Sequence, residues 1–106
     1  MPKYLLQGSY TAEGSKGLLK DGGSKRRAAA KTLVESLGGK IECLYFAFGE
    51  TDVLAIVDMP DSASAAAASL AIGASGGLTS KLSVLLTAEE IDQASKKSAT
   101  YTPPGR

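Results

Sequence analysis

Two apolar segments that follow one another almost without interruption constrain this chain more than any other feature. Residues 40–48, KIECLYFAF, and residues 52–59, DVLAIVDM, are rich in the aromatic and β-branched residues that favour β-strands. Only Gly49-Glu50-Thr51 separates them. Because two strands joined by so short a link pair as an antiparallel hairpin, the sequence predicts a hairpin within a β-sheet.

Both faces of this hairpin carry apolar side chains, which a half-solvated sheet does not require. Alternation along the first strand predicts one face with Ile41, Cys43, Tyr45 and Ala47, and another with Leu44, Phe46 and Phe48. The second strand divides in the same way, into Leu54 and Ile56 against Val53, Ala55, Val57 and Met59. A sheet with water on one side alternates apolar with polar residues. We therefore expect both faces of this sheet to be covered.

The rest of the chain predicts a ferredoxin-like α+β fold with a four-stranded antiparallel sheet. Residues 11–23 contain four glycines, so at best a short helical turn is expected around residues 16–20. The other elements give the order β-α-β-β-α-β. They are a strand at 3–10, a helix from the Ser24 cap to 37, the hairpin, a helix opened by Asp61 or Ser62, a strand at 78–86, and a last helix from the Thr87–Glu90 capping box to about 97. We expect one domain over residues 1–97 and a flexible tail over 98–106.

Two helices cover only one face of such a sheet, so the second apolar face needs another covering. A second copy of the chain is the simplest one, and a homodimer or higher homo-oligomer paired through its sheets would bury about 2,000 Å² in total. The alternative is that the last helix folds across the open face. That helix offers only Ile91 and a few alanines for the purpose.

The composition excludes several classes of function. Twelve basic and 11 acidic residues give a net charge of +1, so no global field attracts nucleic acid or an anionic membrane, and we expect neither as a partner. The chain has no histidine, which removes Ser-His and Cys-His nucleophiles and the usual zinc or haem ligand; we expect no metal and no cofactor. A single cysteine, Cys43, and the lack of a signal-like or membrane-spanning segment predict a cytoplasmic location.

Several segments together resemble the GYD-domain family. They are MPKYLLQGSYTAEG at the start, GGSKRR, LVESLGGKIECLYFAFGETDVLAIVDMPD and LLTAEE, and they span roughly residues 2–93. The resemblance implies a small bacterial or archaeal protein of the dimeric α/β-barrel superfamily, pairing through its sheet. The family's Gly-x-Tyr-Asp turn reads here Gly49-Glu50-Thr51-Asp52, with threonine in place of tyrosine. Since the superfamily includes monooxygenases, isomerases, haem enzymes and ligand-binding domains, the resemblance does not select a function.

Two carboxylates in this turn are the candidate catalytic residues. Glu50 and Asp52 are two residues apart, so their side chains can share one side of the chain and interact, and one of them can then serve as a general base. The alternative is a structural turn in which Asp52 accepts hydrogen bonds from nearby backbone amides.

The candidate ligand-binding residues are basic and aromatic. GGSKRR (22–27) places cations at a helix N-terminus, where phosphate or carboxylate can bind, although the sequence is not a Walker loop. Tyrosines on a sheet can line a pocket for a planar or apolar molecule. We therefore predict that a small anionic or aromatic ligand contacts Arg26, Arg27, Lys31, Tyr10 and Tyr45.

Two hypotheses of function follow from these residues. The first is a homo-oligomeric small-molecule-binding or assembly protein without catalytic activity, with a pocket between the sheet and the helices or between subunits. The second is a cofactor-independent isomerase or monooxygenase that uses Glu50 or Asp52 as base and a cation to hold an anionic substrate. A carboxylate beside a closed pocket that a cation also reaches would favour the enzyme, and an exposed 49–52 turn would favour binding or assembly.

Overall fold

The computed structural model describes all residues, 1–106, and contains one four-stranded sheet and four helices. The strands are β1 (Lys3–Tyr10), β2 (Lys40–Phe46), β3 (Val53–Asp58) and β4 (Leu78–Leu85); the helices are α1 (Ala12–Asp21), α2 (Gly23–Ser36), α3 (Ser62–Ala74) and α4 (Ala88–Ser95). The strand order is β2-β3-β1-β4 and every pair is antiparallel. This is the predicted ferredoxin-like fold.

The core lies between one face of the sheet and the helices α2 and α3. Val34 of α2 and Ala65 and Ala68 of α3 belong to the same buried cluster as five side chains that come from the sheet or directly follow it. Those five are Tyr4, Leu6, Ala55, Val57 and Met59. Only 10 of the 106 residues are buried, so the apolar surface removed from water inside one chain is small.

Side-chain caps fix the start of three helices. Asp61 accepts a hydrogen bond from the Ser64 amide at 2.7 Å, and this backbone bond, with a further contribution from the Ser64 side chain, lowers the pKa of the Asp61 carboxyl. Thr87 and Glu90 form the predicted capping box of α4. Thr11 caps α1 through the Gly14 amide.

The prediction of only a short turn over residues 11–23 was wrong, because α1 is a helix of ten residues. Its glycines disfavour a helix locally, but the helix start is packed against the loop before β4. A Cβ atom at Gly14 would overlap the carbonyl oxygen of Gly77, so this glycine permits a close approach of two backbones.

The start of α2 also differs from the prediction. Ser24 lies inside the helix, and Gly22 occupies the cap position with a φ of +80°, which favours glycine. The two helices α1 and α2 therefore follow each other with one glycine between them.

A β-bulge changes the predicted faces of β2. Ile41 is opposite Val57 and Cys43 is opposite Ile56, so one extra residue lies between these pairs. The bulge places Ile41 against the core with Leu44, and the prediction that Ile41 shares a face with Cys43 and Tyr45 was wrong. The strand also ends at Phe46, before the predicted Phe48, whose side chain is 97% exposed.

The sheet face opposite α2 and α3, here called the open face, is not covered by the chain. Every residue of α4 is exposed, so the last helix does not fold across it. The open face carries Lys3, Leu5, Gln7, Ser9, Lys40, Cys43, Tyr45, Leu54, Ile56, Asp58, Thr79, Lys81, Ser83 and Leu85. Its apolar side chains are concentrated on β1, β2 and β3, and β4 is largely polar.

The chain is more extended than a compact domain of its size. Its Cα radius of gyration is 16.7 Å, against about 13 Å for a compact domain of this length. It exposes 7304 Å², whereas a compact monomer of its mass exposes about 5,500 Å². None of its helices has the length and apolar character needed to cross a bilayer.

Candidate functional site

An apolar cavity of about 130 Å³ lies between α2 and the core face of the sheet. Hydrophobic residues make up 15 of the 19 that line it. All four strands contribute to the cavity floor, Ala29, Ala30 and Leu33 of α2 form its roof, and Ile72 of α3 also lines it. Small residues on the roof leave this space unfilled, because a longer side chain at Ala30 would extend toward the sheet.

Arg26 and Tyr10 stand at the edge of this cavity. Both line it, and the Arg26 side chain is 38% exposed, so the guanidinium reaches both the cavity and water. Burial raises the pKa of the Tyr10 phenol; the positive charge and hydrogen bonding of Arg26 oppose this shift, and the Asp52 charge adds to it. Tyr10 is therefore a neutral hydroxyl donor at pH 7.

The Arg26 guanidinium has no short ionic partner. Its Nη1 atom is 3.8 Å from Oδ2 of Asp21, and Asp21 also lies 3.6 Å from Nζ of Lys25. These separations are longer than the usual length of a charge-assisted hydrogen bond, about 2.7–2.9 Å. Arg26 therefore retains hydrogen-bonding capacity for an anion at the cavity edge.

The two candidate catalytic carboxylates do not line the cavity. Glu50 is exposed, and its backbone carbonyl accepts a hydrogen bond from the Ser9 hydroxyl at 3.1 Å. Asp52 Oδ2 accepts a hydrogen bond from the Tyr10 amide at 2.8 Å, and the Asp52 amide donates to the Gly8 carbonyl at 2.8 Å. Asp52 thus fastens the 47–52 turn to the end of β1, and the catalytic role of the pair stays a prediction.

The remaining ligand-binding candidates lie in a second, separate depression. Arg27, Lys31 and Tyr45 line an open groove between α2 and the edge strand β2, here called the β2–α2 groove. Adjacent positions of a helix are about 100° apart, so Arg26 turns toward the cavity and Arg27 away from it. The structure therefore brings Tyr10 and Arg26 together and separates them from the other three residues.

A cluster of charges at one end of the open face was not predicted. Lys3 Nζ donates to Oε1 of Glu42 and to Oδ1 of Asp58, both at 2.8 Å. The hydrogen bond to Asp58, followed by that to Glu42, raises the pKa of the Lys3 ammonium. Alternation along each strand does not by itself show that Lys3 and Asp58 share a face. That also requires the register between the two strands, which the sequence does not give.

A pocket between the sheet and the helices was one of the two predicted locations, but the aliphatic residues of the cavity floor were not predicted as its lining. Leu44 and Phe46 were predicted as sheet residues, and no sequence signal distinguishes a residue that fills a core from one that borders a void. The chain has no group of three or more His, Cys, Asp and Glu side chains arranged to hold a metal ion. At the cavity, the chain can make apolar contacts with a bound molecule and donate hydrogen bonds to an anionic group.

Comparison with known proteins gives one family. The family model of the GYD domain matches residues 4–95. No curated protein and no solved structure shows significant similarity to the chain. Because the match covers most of its length, the chain belongs to the GYD domain family.

Proposed function

We propose that this GYD-domain protein is a homodimer that binds a small, largely apolar molecule carrying one anionic group. The observation that carries the proposal is the apolar cavity beneath α2 with the Arg26 guanidinium at its edge. Binding sites for small molecules are typically apolar concavities with a few placed polar groups, and this cavity has that composition.

The size of the cavity limits the apolar part of the ligand. An engineered cavity of about 150 Å³ in another protein binds benzene, so 130 Å³ accommodates a single ring or a short branched chain. Larger ligands would have to extend through the opening beside Arg26. We therefore propose a ligand with about six to eight buried heavy atoms and its charged group in the opening.

The charge of the ligand follows from the two donors at the edge. Arg26 is always protonated and offers a planar fork that fits a carboxylate in a bidentate manner. The neutral Tyr10 hydroxyl can donate a further hydrogen bond. No carboxylate lines the cavity, so an ammonium group would face only cationic or neutral partners.

The open face supports pairing with a second copy of the chain. Leu5, Leu54 and Ile56 form a contiguous apolar stretch across β1 and β3, with Cys43 and Tyr45 beside it on β2. The Tyr45 side chain is 66% exposed. Each chain exposes about 1,800 Å² more than a compact monomer would, so two chains together have an excess of about 3,600 Å², and obligate dimers bury about 2,000–5,000 Å² in total.

Catalysis is less well supported than binding. The general base of the enzyme hypothesis would have to reach the bound molecule, and neither Glu50 nor Asp52 borders the cavity. The Asp52 carboxylate is already hydrogen-bonded to the Tyr10 amide. We therefore propose binding without chemical conversion of the ligand.

A titration with benzoate tests the proposal. We expect benzoate to bind with a Kd of about 1 mM, a usual value for so small a molecule, and to raise Tm in proportion to ln(1 + [L]/Kd). Amide NMR shifts should concentrate at Ala30, Leu33 and Leu44, which line the cavity. Benzylamine, which has a ring of the same size and the opposite charge, should bind at least tenfold more weakly.

The Arg26→Gln variant is the matched control. It should lose the preference for benzoate over benzyl alcohol and still bind benzyl alcohol, because the apolar cavity is unchanged. Shifts that fall outside the cavity, or equal binding of benzoate and benzylamine by the wild-type protein, would contradict the proposed ligand class.

A further inference from the structure

The last helix and the segment after it have no partner within their own chain. From Leu86 to Arg106, here called the C-terminal arm, every residue is exposed except Pro103, which is half-buried. Ile91 of α4 is 52% exposed and Tyr101 is 75% exposed. Because an isolated helix of eight residues is marginal in water even with a good cap, α4 requires packing against another surface.

The helix α4 is acidic. Glu89, Glu90 and Asp92 are its only charged residues. Glu90 closes the capping box, whereas Glu89 and Asp92 take part in no ion pair. Asp92 lies about 100° around the helix from Ile91 and Glu89 about 200°, so the free carboxylate beside Ile91 is that of Asp92, and Glu89 lies on the far side of the helix.

The β2–α2 groove has the complementary charge. Arg27, Lys31 and Lys40 line it, and none of them takes part in an ion pair. It also contains two acids, Glu42, which is held by Lys3, and Glu35. Four apolar residues also border the groove, among them Ile41 and Leu44, whose side chains pack against the core; the other two are Ala28 and Tyr45.

The helix and the groove have matching lengths. Eight residues of α4 extend about 12 Å, and the part of α2 from Arg27 to Glu35 that borders the groove extends about 12 Å as well. The volume of the groove, about 870 Å³, leaves space for side chains from a docked helix.

The helix cannot reach the groove of its own chain readily. The strand order β2-β3-β1-β4 places the two edge strands on opposite sides of the sheet, about 14 Å apart. The groove lies beyond β2, whereas α4 follows β4.

Two-fold pairing of the open faces removes this separation. With the two-fold axis along the strands, the strand order around the dimer is β2-β3-β1-β4 followed by β2-β3-β1-β4 of the second copy, so each β4 edge adjoins the partner's β2 edge. The register places Leu85, Lys3, Asp58 and Lys40 in one row across the sheet. The C-terminal arm, which leaves at Leu85, therefore emerges beside the Lys40 end of the neighbouring groove.

We propose that α4 of each subunit docks into the β2–α2 groove of a second copy of this chain, with Ile91 toward the strand β2 and Asp92 beside Arg27 and Lys31. This inference rests on the sheet pairing in the proposed function. It predicts an exchanged arm that links the two subunits and places the covering helix directly over α2, the roof of the ligand cavity.

Chemical cross-linking between differently tagged subunits tests the exchange. One subunit carries Ala28→Cys and the other carries Ile91→Cys, both with Cys43→Ser, and the mixture is treated with a short bismaleimide. Ala28 and Ile91 are exposed, so both chains should fold. We expect the mixed covalent dimer as the main product. A subunit with Gln93→Cys, about 200° around α4 from Ile91, should give at least fivefold less of it.

Charge reversal supplies a second test. Asp92→Lys should raise the dimer dissociation constant about tenfold at low salt, because each of the two arms loses an ion pair with α2 and gains a repulsion in its place. Arg27→Glu with Lys31→Glu should act similarly, and the chain with all three changes should recover most of the affinity.

The outcomes separate the arm from the sheet pairing. A dimer in sedimentation that gives no product between positions 28 and 91 overturns the docking of α4 and leaves the sheet pairing in place. A single chain that carries both Ala28→Cys and Ile91→Cys supplies a further check. If it cross-links only within itself, the docking of α4 on a second copy is overturned. A monomer in sedimentation overturns both the docking and the proposed homodimer.

Discussion

Filling the cavity beneath α2 should stabilise the ligand-free protein and abolish ligand binding together. Ala30 lines the cavity from α2, and leucine at this position adds three carbon atoms directed toward the sheet. At about 0.8 kcal/mol for each buried methylene-sized group, the largest gain is about 2.4 kcal/mol. The unfilled volume of 130 Å³ corresponds to a similar cost, about 3 kcal/mol at 24 cal/mol per Å³.

An imperfect fit reduces this gain, so we expect the free energy of unfolding to rise by about 1.5 kcal/mol and Tm by about 6–12 °C. Urea denaturation at a fixed protein concentration measures the change, because dimerisation makes stability depend on concentration. The benzoate-induced rise in Tm should disappear in the same variant.

Ala71→Leu is the matched control for Ala30→Leu. Ala71 lies on α3, is exposed and does not line the cavity, so the same substitution there should change stability by less than about 0.5 kcal/mol. If Ala30→Leu destabilises the protein by more than 1 kcal/mol, the space beneath α2 is not available to a side chain. Retention of the benzoate response by a stabilised Ala30→Leu variant would place the ligand elsewhere.

Three further substitutions or conditions test how the fold holds the site. Asp52→Ala should lower the free energy of unfolding by about 1.5–3 kcal/mol, since it removes a charged acceptor from the amide at the end of β1, and Asp52→Asn should recover part of it; equal stability of all three proteins in urea would argue against the anchoring role. Gly14→Ala should destabilise by more than 1 kcal/mol because its Cβ overlaps the Gly77 carbonyl, whereas Gly17→Ala, which meets open space in the same helix, should stabilise by about 0.5–1 kcal/mol; a similar effect of both would contradict the close approach. The ion partners of Lys3 raise its folded-state pKa, so the contribution of Lys3 to the free energy of unfolding is complete below its unfolded-state pKa of about 10.4 and is lost as the pH rises further. Lys3→Met should therefore flatten the alkaline loss of stability between about pH 10 and 12. The same dependence of stability on pH in the variant and the wild type would contradict this role of Lys3.

The element order could be predicted from the sequence because it depends on local signals. Two apolar segments close together in sequence define the hairpin, although the connection spans residues 47–52 and not the three residues predicted, and α4 is defined by its capping box. The helix α1 could not be predicted, because its glycines disfavour a helix and only tertiary packing against Gly77 reverses that preference. The bulge after Ile41 inserts one residue without a distinctive sequence, and it moves that side chain to the other face.

The candidate site was only partly predictable for a related reason. Tyr10 and Arg26 were predicted individually, but their meeting at one cavity depends on how α2 lies across the sheet. Arg27 was grouped with Arg26 by sequence, and the rotation of the helix assigns the two residues to different depressions. The cavity itself is a property of packing, and the alanines on its roof do not distinguish a void from a close helix–sheet contact.

Sedimentation equilibrium of the full chain, from about 1 to 100 µM, tests the central claim that the open face pairs with a second copy. Pairing of the open faces predicts a species of twice the 10.8 kDa chain mass for the wild type and a shift to single chains in Ile56→Glu, which places a charge on the open face. A wild-type protein that sediments as a single chain throughout this range would contradict it.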